Sequence, residues 1–331
     1  MEKISDITYK VINKDDTQGS SRYEIKIKGK NINHVVINTI RRSILTYIPV
    51  YAFNEFNFTT NESIFNNNYI KLRLRNMPVW GINNNIDKYD IKQKNIKKNE
   101  ILEEIEEIDD IDIENDNNNL DSSSLSQLTM YVDYKSTSKT ITTITTDHVK
   151  FYYDGDSIQS PYKIPIPIIK LQPGQSINFS AITTLGTEKL NPIYSAVCVC
   201  FYKEIDNNEY DFIIESRGQL KEKRIIHVAL LNIINSLEDI IKLIPDTQDS
   251  SEGEIILKDE NHTLGNLLSN GLQNHKHITF SGYRMTHFLE EKIVIEYKIK
   301  DEKYKIKNII NDVISYYIEL YKEIIKLNKK I

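Results

Sequence analysis

Apolar residues along the chain follow two periods, and their order predicts strands and helices. Tyr23–Ile27 alternates apolar and polar positions, which is typical of a half-buried strand. The next segment, INHVVINTIRRSILTYIPVY at 32–51, has isoleucines at spacings of three and four residues: Ile37, Ile40, Ile44 and Ile48. This spacing predicts an amphipathic helix, for which Asn31 or Asn33 is a suitable N-cap and Pro49 a stop.

The same order of elements occurs twice. Before a polar linker at 246–253, a strand at Tyr210–Glu215 precedes a long helix with an apolar stripe: Ile226, Leu230, Ile233, Leu237, Ile241 and Ile244. After the linker come a strand, a short helix in HTLGNLLSNGLQN, two strands and a long helix from Lys303 to Lys326. The stripe of this last helix comprises Ile306, Ile310, Val313, Tyr317, Tyr321 and Ile324. The repetition indicates a diverged internal duplication, whose first copy carries a large insertion after its short helix.

The insertion is predicted to be mostly β, with strands in VYAFNEFNFTT, LTMYVDYKS and VKFYYDG. IPIPIIKLQPGQSINFSAITTL has the features of a hairpin, because Pro173 and Gly174 suit the central positions of a type II turn. Pro165 and Pro167 would place its first strand at a sheet edge. Within the insertion, residues 84–126 contain 13 acidic residues and 5 lysines, a net charge of −8, and we expect this segment to be largely disordered.

Charge and cysteine content narrow the range of functions. The net charge of −5 provides no general attraction to nucleic acid, and the acidic surplus lies in residues 84–126. Cys198 and Cys200 stand two apart in a predicted strand, so alternation puts both on one face, and we expect buried core residues in a reducing compartment. The sequence has neither a signal-peptide pattern nor an apolar run that could span a bilayer, which indicates an intracellular protein without a membrane contact.

No phosphate-binding, zinc-protease or serine-hydrolase motif occurs, so we expect no catalytic residues and no cofactor. Four residues could be imagined as a metal site: Asp259, His262, His275 and His277. Their spacing corresponds to no recognisable ligand set, and polar loop histidines are more common. Gly265 lies in the first turns of a predicted helix, where glycine costs about 1 kcal/mol relative to alanine. Either another group packs closely against its backbone, or the glycine is simply tolerated.

Asn38, Arg41 and Arg42 share a second face of the first short helix, away from the isoleucines. An amphipathic helix can tolerate these arginines as solvated surface. Alternatively, the face is a docking surface, because guanidinium groups make directional hydrogen bonds with carboxylates and carbonyls. In both cases the spacing predicts that the hydrophobic core does not depend on the arginines.

Several motifs resemble those of the alpha-like subunits of multisubunit RNA polymerases. INTIRRSILTYIPVYAF is similar to the alpha motif of the larger alpha-like subunit, and KLQPGQSINFSAITTLGTEKLNPIYSAV to its K-L-x-P-G-Q hairpin. Two further segments of that subunit resemble parts of this chain, namely NESIFNNNYIKLRLRNMPV and YDFIIESRGQLKEKRIIHVALLNI. DENHTLGNLLSNGLQNHKHITFSGYRMTHFLEEKIVIEYK resembles the core of the small alpha-like subunit, with Asn261 where the family usually has aspartate. The matches cover most of 1–83 and 168–331.

A single chain that holds both subunits resembles the fused alpha-like subunit of large DNA viruses. The resemblance implies an α+β fold with two dimerisation domains, each a sheet with a short and a long helix, that form an intramolecular pseudo-dimer beside a mostly β inserted domain. The larger alpha-like domain would comprise 1–49 and 205–245, the insertion 50–204 and the small alpha-like domain 246–331. Residues expected where the two domains pair are Ile37, Ile40, Ile44, Ile226, Leu230, Ile233, Leu264, Leu267, Leu268, Ile310, Val313 and Tyr317.

The resemblance further implies a non-catalytic assembly subunit, which nucleates the association of the two large catalytic subunits for transcription. Its partners would be these two largest subunits and other small polymerase subunits, in the virion and host cytoplasm if the source is viral, without specific contact to nucleic acid. The large-subunit interface of the family corresponds here to Asn38, Arg41, Arg42, His262, Thr263, Gly265 and Asn266.

Some larger alpha-like subunits hold a zinc or iron–sulfur site in the inserted domain. That site should be absent here, since two cysteines in one strand cannot supply four ligands. An alternative from another class is a free-standing nucleic-acid-binding or regulatory protein. Lysine-rich helix ends and tyrosine-rich strands favour it, whereas the acidic net charge and the lack of a basic stripe with stacked aromatics disfavour it.

Overall fold

The structure is a computed structural model that describes residues 7–17, 20–82, 127–244, 251–258, 262–286, 292–301 and 303–330. The chain forms two compact units. We call Met1–Ile48 together with Ala196–Ile331 the core unit, and Pro49–Ser195 the inserted unit. The acidic segment that the sequence predicts to be disordered, and most of the linker at 246–253, lie outside the described residues.

The described residues form strands and helices whose bounds follow in chain order. The strands are β1 (Thr8–Thr17), β2 (Ser20–Lys28), β3 (Val50–Asn61), β4 (Leu128–Lys135), β5 (Thr142–Thr145), β6 (Lys150–Tyr153), β7 (Asp156–Ile158), β8 (Pro167–Leu171), β9 (Ser176–Gly186), β10 (Val197–Asp206), β11 (Glu209–Ser216), β12 (Glu252–Lys258), β13 (Ile278–Met285) and β14 (Lys292–Ile299). The α-helices are α1 (His34–Thr46), α2 (Asn67–Arg75), α3 (Glu222–Leu243), α4 (His262–Gln273) and α5 (Ile306–Lys330). This mixture confirms the α+β class.

The core unit contains two antiparallel sheets. One has the strand order β1-β2-β11-β10 and the other the order β12-β14-β13. The alternation predicted for Tyr23–Ile27 is confirmed in β2, because its apolar side chains are buried while those of Glu24 and Lys26 are half-buried. β1 was not predicted, since the sequence TYKVINKDDT is too polar for a clear period and a bulge between Val11 and Asn13 interrupts its pairing.

β10 differs from the sequence expectation in two ways. It pairs with β11 in the sheet of the core unit, so the predicted domain boundary between residues 204 and 205 falls inside a strand. In addition, a register shift between Val197 and Val199 breaks the alternation, so Cys198 is exposed while Cys200 is buried. The prediction that both cysteines are core residues is therefore wrong for Cys198, and burial raises the pKa of the Cys200 thiol to about 12.

The helices of the core unit follow the predicted stripes closely. The side chain of Asn33 caps α1 by accepting a hydrogen bond from the Val36 backbone N–H, and the isoleucine stripe of this helix is buried. In α3 the buried residue near the C-terminal end is Ile240, not Ile241, which is only half-buried. α5 begins and ends a few residues later than predicted, and its whole apolar stripe is buried. Among the described helices, none is both long and apolar enough to cross a membrane.

The inserted unit contains a sheet of strand order β3-β9-β4-β6-β7 and a two-stranded sheet of β5 and β8. The predicted type II turn is present, since Gly174 has a φ of +84° and the Gln175 N–H donates to the Gln172 carbonyl at 3.2 Å. The predicted hairpin is wrong, however, because β8 pairs with β5 while β9 pairs with β3 and β4. β8 nevertheless lies at a sheet edge, as Pro167 at its first position and Pro165 before it indicated.

Candidate interaction surface

α1 and α4 are joined by a hydrogen bond between residues that are far apart in the sequence. Arg42 Nε donates to Thr263 Oγ1 at 2.7 Å, and Thr263 is buried in the first turn of α4. Arg42 itself is half-buried. Arg42 therefore supplies a hydrogen bond to a buried hydroxyl, so it makes a contact within the fold that its position on the polar face of α1 did not predict.

Arg41 has a different environment. Its Nε and Nη2 both donate to Asn38 Oδ1, at 3.1 and 3.0 Å, within the same helix. Both side chains are half-buried. Because one amide oxygen receives two N–H groups, the guanidinium is held in a fixed orientation while part of it stays accessible. The two neighbouring arginines of α1 thus have separate roles in the structure.

Gly265 lies where α4 packs on the sheet of the same half of the chain. A Cβ atom at this position would lie 3.0 Å from both Ile293 Cγ2 of β14 and Tyr283 Cδ2 of β13. The reading that another group packs closely against this backbone is confirmed. Gly265 and Thr263 are both buried in internal contacts, which differs from the expectation that they belong to a docking surface. On α4, His262 remains exposed and Asn266 half-buried.

The apolar residues expected at the pairing of the two halves are all buried: Ile37, Ile40, Ile44, Ile226, Leu230, Ile233, Leu264, Leu267, Leu268, Ile310, Val313 and Tyr317. One small apolar cavity is lined by Ile240 of α3, Leu268 of α4 and Ile310 of α5, so three helices meet there. α1 also contacts α3, because Ser43 Oγ donates to the Ala229 carbonyl at 3.1 Å.

Gly271 permits the close approach of α4 and α5. A Cβ atom at this position would lie 2.6 Å from Val313 Cγ1 and 2.7 Å from Tyr317 Cε2, which is closer than real Cβ contacts allow. This glycine was not predicted from the sequence as a contact position. The sequence feature that could have revealed it is a second glycine inside an amphipathic helix, where glycine is unfavourable unless a neighbouring side chain needs the space.

Asn328 forms a buried polar bridge between three elements. Its Oδ1 accepts a hydrogen bond from the Tyr9 hydroxyl of β1 at 2.8 Å, and its Nδ2 donates to the Lys223 carbonyl of α3 at 3.0 Å. The Asn328 residue is 3% exposed. Burial raises the pKa of Tyr9 well above its ordinary value, so the hydroxyl stays protonated and available as a donor. This bridge was not predicted from the sequence, because its three residues are far apart in the chain.

A further polar contact connects the N-terminal segment with α5. Asn31 Nδ2 donates to the Tyr316 hydroxyl at 2.9 Å. Tyr321 of α5 is fully buried, and burial raises its pKa well above the ordinary value. Together with the Asn328 bridge, the contact between Asn31 and Tyr316 places complementary polar groups on residues from the two halves of the chain.

The described histidines of the imagined metal site make aromatic contacts, and the ring centroids of His275 and His277 lie 5.4 Å apart. The ring of His262 packs edge-on against Tyr283, and His277 stacks on Tyr304 with ring centroids 3.7 Å apart. His275 is buried, and burial together with the neighbouring His277 lowers its pKa. Within the described ranges, no three histidine, cysteine or acidic side chains form a group that could hold a metal ion, and Asp259 lies outside those ranges.

Comparison with known proteins finds similarity to RNA polymerase subunits. Residues 252–326 match the family model of the RNA polymerase Rpb3/Rpb11 dimerisation domain. The chain is also 27% identical, over 341 aligned residues, to a protein of Acanthamoeba polyphaga mimivirus named "Putative DNA directed RNA polymerase subunit", with 98% of this chain and 94% of the relative covered. The resemblance to viral alpha-like RNA polymerase subunits is confirmed. The segment that matches the Rpb3/Rpb11 dimerisation domain contains β12, α4, β13, β14 and most of α5.

Proposed function

We propose that this chain is a non-catalytic assembly subunit of a DNA-directed RNA polymerase and that its two alpha-like halves pair within one polypeptide. The observation that carries the proposal is the joint burial of the apolar stripes of α1, α3, α4 and α5 in one compact unit. Each stripe is too wide to be left in water, and the two halves bury them against each other. The match to a dimerisation domain of polymerase subunits supports the same arrangement.

The surface that we propose for docking a large catalytic subunit comprises Asn38, Arg41, His262 and Asn266. The hydrogen bond between Arg42 and Thr263 holds α1 beside α4, so these four residues belong to adjacent helices. Arg41 is oriented by Asn38 and offers guanidinium N–H groups to a carboxylate or carbonyl of the partner. Arg42, Thr263 and Gly265 would support this surface from within.

The proposed function is tested by co-expressing the tagged chain with the two largest subunits of its polymerase. We expect both large subunits to co-purify with the chain and the purified complex to synthesise RNA on a DNA template. The chain alone should synthesise no RNA, because its sequence contains no catalytic motif. Templated synthesis by the isolated chain, or failure of both large subunits to co-purify, would contradict the proposal.

Substitution of the two arginines separately should give different results. Arg41→Ala should leave the melting temperature nearly unchanged and weaken large-subunit binding by at least about tenfold, or roughly 1.4 kcal/mol.

Arg42→Ala should lower the free energy of unfolding by about 1–2 kcal/mol, because the buried Thr263 hydroxyl loses a donor. Melting curves and a quantitative pull-down measure the two effects.

Arg284→Ala is the matched control for both variants. Arg284 is exposed in β13 and pairs with Glu254 and Glu296 on the sheet surface. Its loss should therefore change neither the free energy of unfolding nor the affinity for the large subunit by much. Arg41→Lys should restore binding only in part, since an ammonium group cannot reproduce the planar fork of a guanidinium. Normal assembly of the Arg41→Ala variant would show that this arginine is merely solvated surface.

A further inference from the structure

The inserted unit presents a group of large apolar side chains to solvent beside α2. Ile64 and Leu72 are 71% and 63% exposed, and Phe65 and Tyr69 stack on each other with ring centroids 4.6 Å apart. We call these four residues the α2 patch. Single exposed apolar residues are ordinary on protein surfaces, but neighbouring ones are typical of interaction sites.

The loop that carries part of the α2 patch has a defined conformation. Asn61 Nδ2 donates to the Phe65 carbonyl at 2.9 Å and to Asn67 Oδ1 at 2.8 Å. Asn66 caps α2 by accepting a hydrogen bond from the Tyr69 backbone N–H at 2.8 Å. The exposed side chains are thus displayed by an ordered loop and the helix that it caps, so binding would require little additional ordering.

An open groove of about 600 Å³ borders the patch. Ile64, Phe65 and Lys71 line it together with the side chains of Asn61, Ser63, Asn66, Asn67 and Asn68. The lining contains amide groups, one hydroxyl and one ammonium group. Asn61 is already bonded within the loop, whereas the Asn68 amide and the Nδ2 groups of Asn66 and Asn67 can still form hydrogen bonds, so the groove suits the backbone of an extended polypeptide segment.

The charged residues of α2 are all cations, namely Lys71, Arg73 and Arg75. The nearest acidic residue in the sequence, Glu62, accepts hydrogen bonds from the backbone N–H and the hydroxyl of Ser176. Arg73 is exposed and donates to the Pro167 carbonyl at 2.8 Å, which is a neutral partner. The guanidinium of Arg75 lies over the Phe56 ring at 5.8 Å. This excess of cations complements a partner surface with carboxylates.

A protein partner fits these features better than a nucleic acid. Single-stranded nucleic acids bind to a continuous cationic groove with aromatic faces that are free for base stacking. Here the two rings stack on each other, Lys71 and Arg75 are half-buried, and the most exposed side chains are aliphatic. Exposed isoleucine and leucine gain most from burial against other apolar side chains.

We propose that the α2 patch docks a segment of another RNA polymerase subunit in which apolar side chains are flanked by carboxylates. The inference rests on the proposed function and adds to it a second contact surface, on the inserted unit. Ile64 and Leu72 would be buried by apolar side chains of the partner. The Asn68 amide and the Nδ2 groups of Asn66 and Asn67 would bond its backbone, and Lys71 and Arg73 would face its carboxylates.

The test compares two single substitutions in the full chain, co-expressed with the other subunits of its polymerase. Leu72→Glu should lower the yield of at least one co-purified subunit by about tenfold or more, with an unchanged melting temperature. Ile141→Glu is the matched control, because Ile141 is an equally exposed isoleucine of the same unit outside the patch, and it should assemble like the unaltered chain. Leu72→Met should assemble normally, because it keeps an apolar side chain.

The outcomes separate the two proposals. If the unaltered chain captures no polymerase subunit, the proposed function fails. If it assembles and Leu72→Glu assembles equally well, the α2 patch is not a docking site. If Leu72→Glu instead loses a subunit, a photo-crosslinking amino acid in place of Tyr69 identifies the occupant in the assembled complex. A crosslink to a polymerase-subunit segment with neighbouring carboxylates supports the proposal. A crosslink to residues 84–126 of this chain, to a second copy, or to nucleic acid overturns it, as does the absence of any crosslink.

Discussion

Replacing Leu267 with aspartate is expected to lower the free energy of unfolding of the core unit by several kcal/mol. Leu267 is 0% exposed and lies on the apolar face of α4, between Gly265 and Gly271, which contact the sheet and α5. The substitution removes a buried side chain and introduces a carboxylate without a partner, and each change costs about 2–5 kcal/mol. Denaturation in guanidinium chloride, followed by circular dichroism, measures the loss.

Leu231→Asp is the matched control for this experiment. Leu231 is an exposed leucine of α3, so its replacement should cost about 1 kcal/mol or less. Ile40→Asp in α1 should resemble Leu267→Asp, because Ile40 is buried in the same unit. Equal denaturation midpoints for Leu267→Asp and Leu231→Asp would show that the apolar face of α4 does not contribute to a shared core.

The buried faces of α1 and α5 could be predicted from sequence because the helical period depends only on local geometry. In α1 the isoleucines at spacings of three and four residues lie on one side, whatever the helix packs against. Asn33 also acts locally, since an N-cap needs only the first turn of its own helix. The same reasoning holds for α5, whose stripe of six residues is buried throughout.

Contacts between distant segments could not be predicted in this way. A helical period places Arg42 opposite the isoleucines, but it does not reveal that Thr263 lies beside that face. β8 pairs with β5 although the turn that follows it suits a hairpin, because pairing depends on which strand competes best and not on the turn alone. Cys198 is exposed because a β-bulge, which leaves little trace in sequence, shifts the alternation.

In the candidate docking surface, too, local contacts could be predicted from sequence and contacts between distant segments could not. Asn38 and Arg41 interact within one helix, at a spacing of three residues, and their shared face followed from sequence. Gly265 was noticed from its unfavourable position in a helix, but its neighbours Tyr283 and Ile293 come from two later strands. The residue types therefore indicated that these positions make specific contacts. Only the fold shows whether such a residue is buried in an internal contact or accessible to a partner.

Asn328→Ala is expected to lower the free energy of unfolding by about 2–3 kcal/mol. It leaves the Tyr9 hydroxyl and the Lys223 carbonyl without the side-chain partner that bonds them now, and a buried polar group without its partner costs about 1–3 kcal/mol. Asn308→Ala is the matched control, because Asn308 is an exposed asparagine of the same helix. Since alanine favours helix more than asparagine does, this control should be unchanged or slightly more stable.

A double-mutant cycle with Tyr9→Phe shows whether Asn328 acts through the contact with β1. The phenylalanine removes the hydroxyl and keeps the ring, so the double variant should be more stable than the sum of the two single losses predicts. A coupling near zero would mean that the hydrogen bond between Tyr9 and Asn328 contributes nothing to stability. A coupling of about 1 kcal/mol would show that a polar contact between the first strand and the last helix helps to hold the two halves in register.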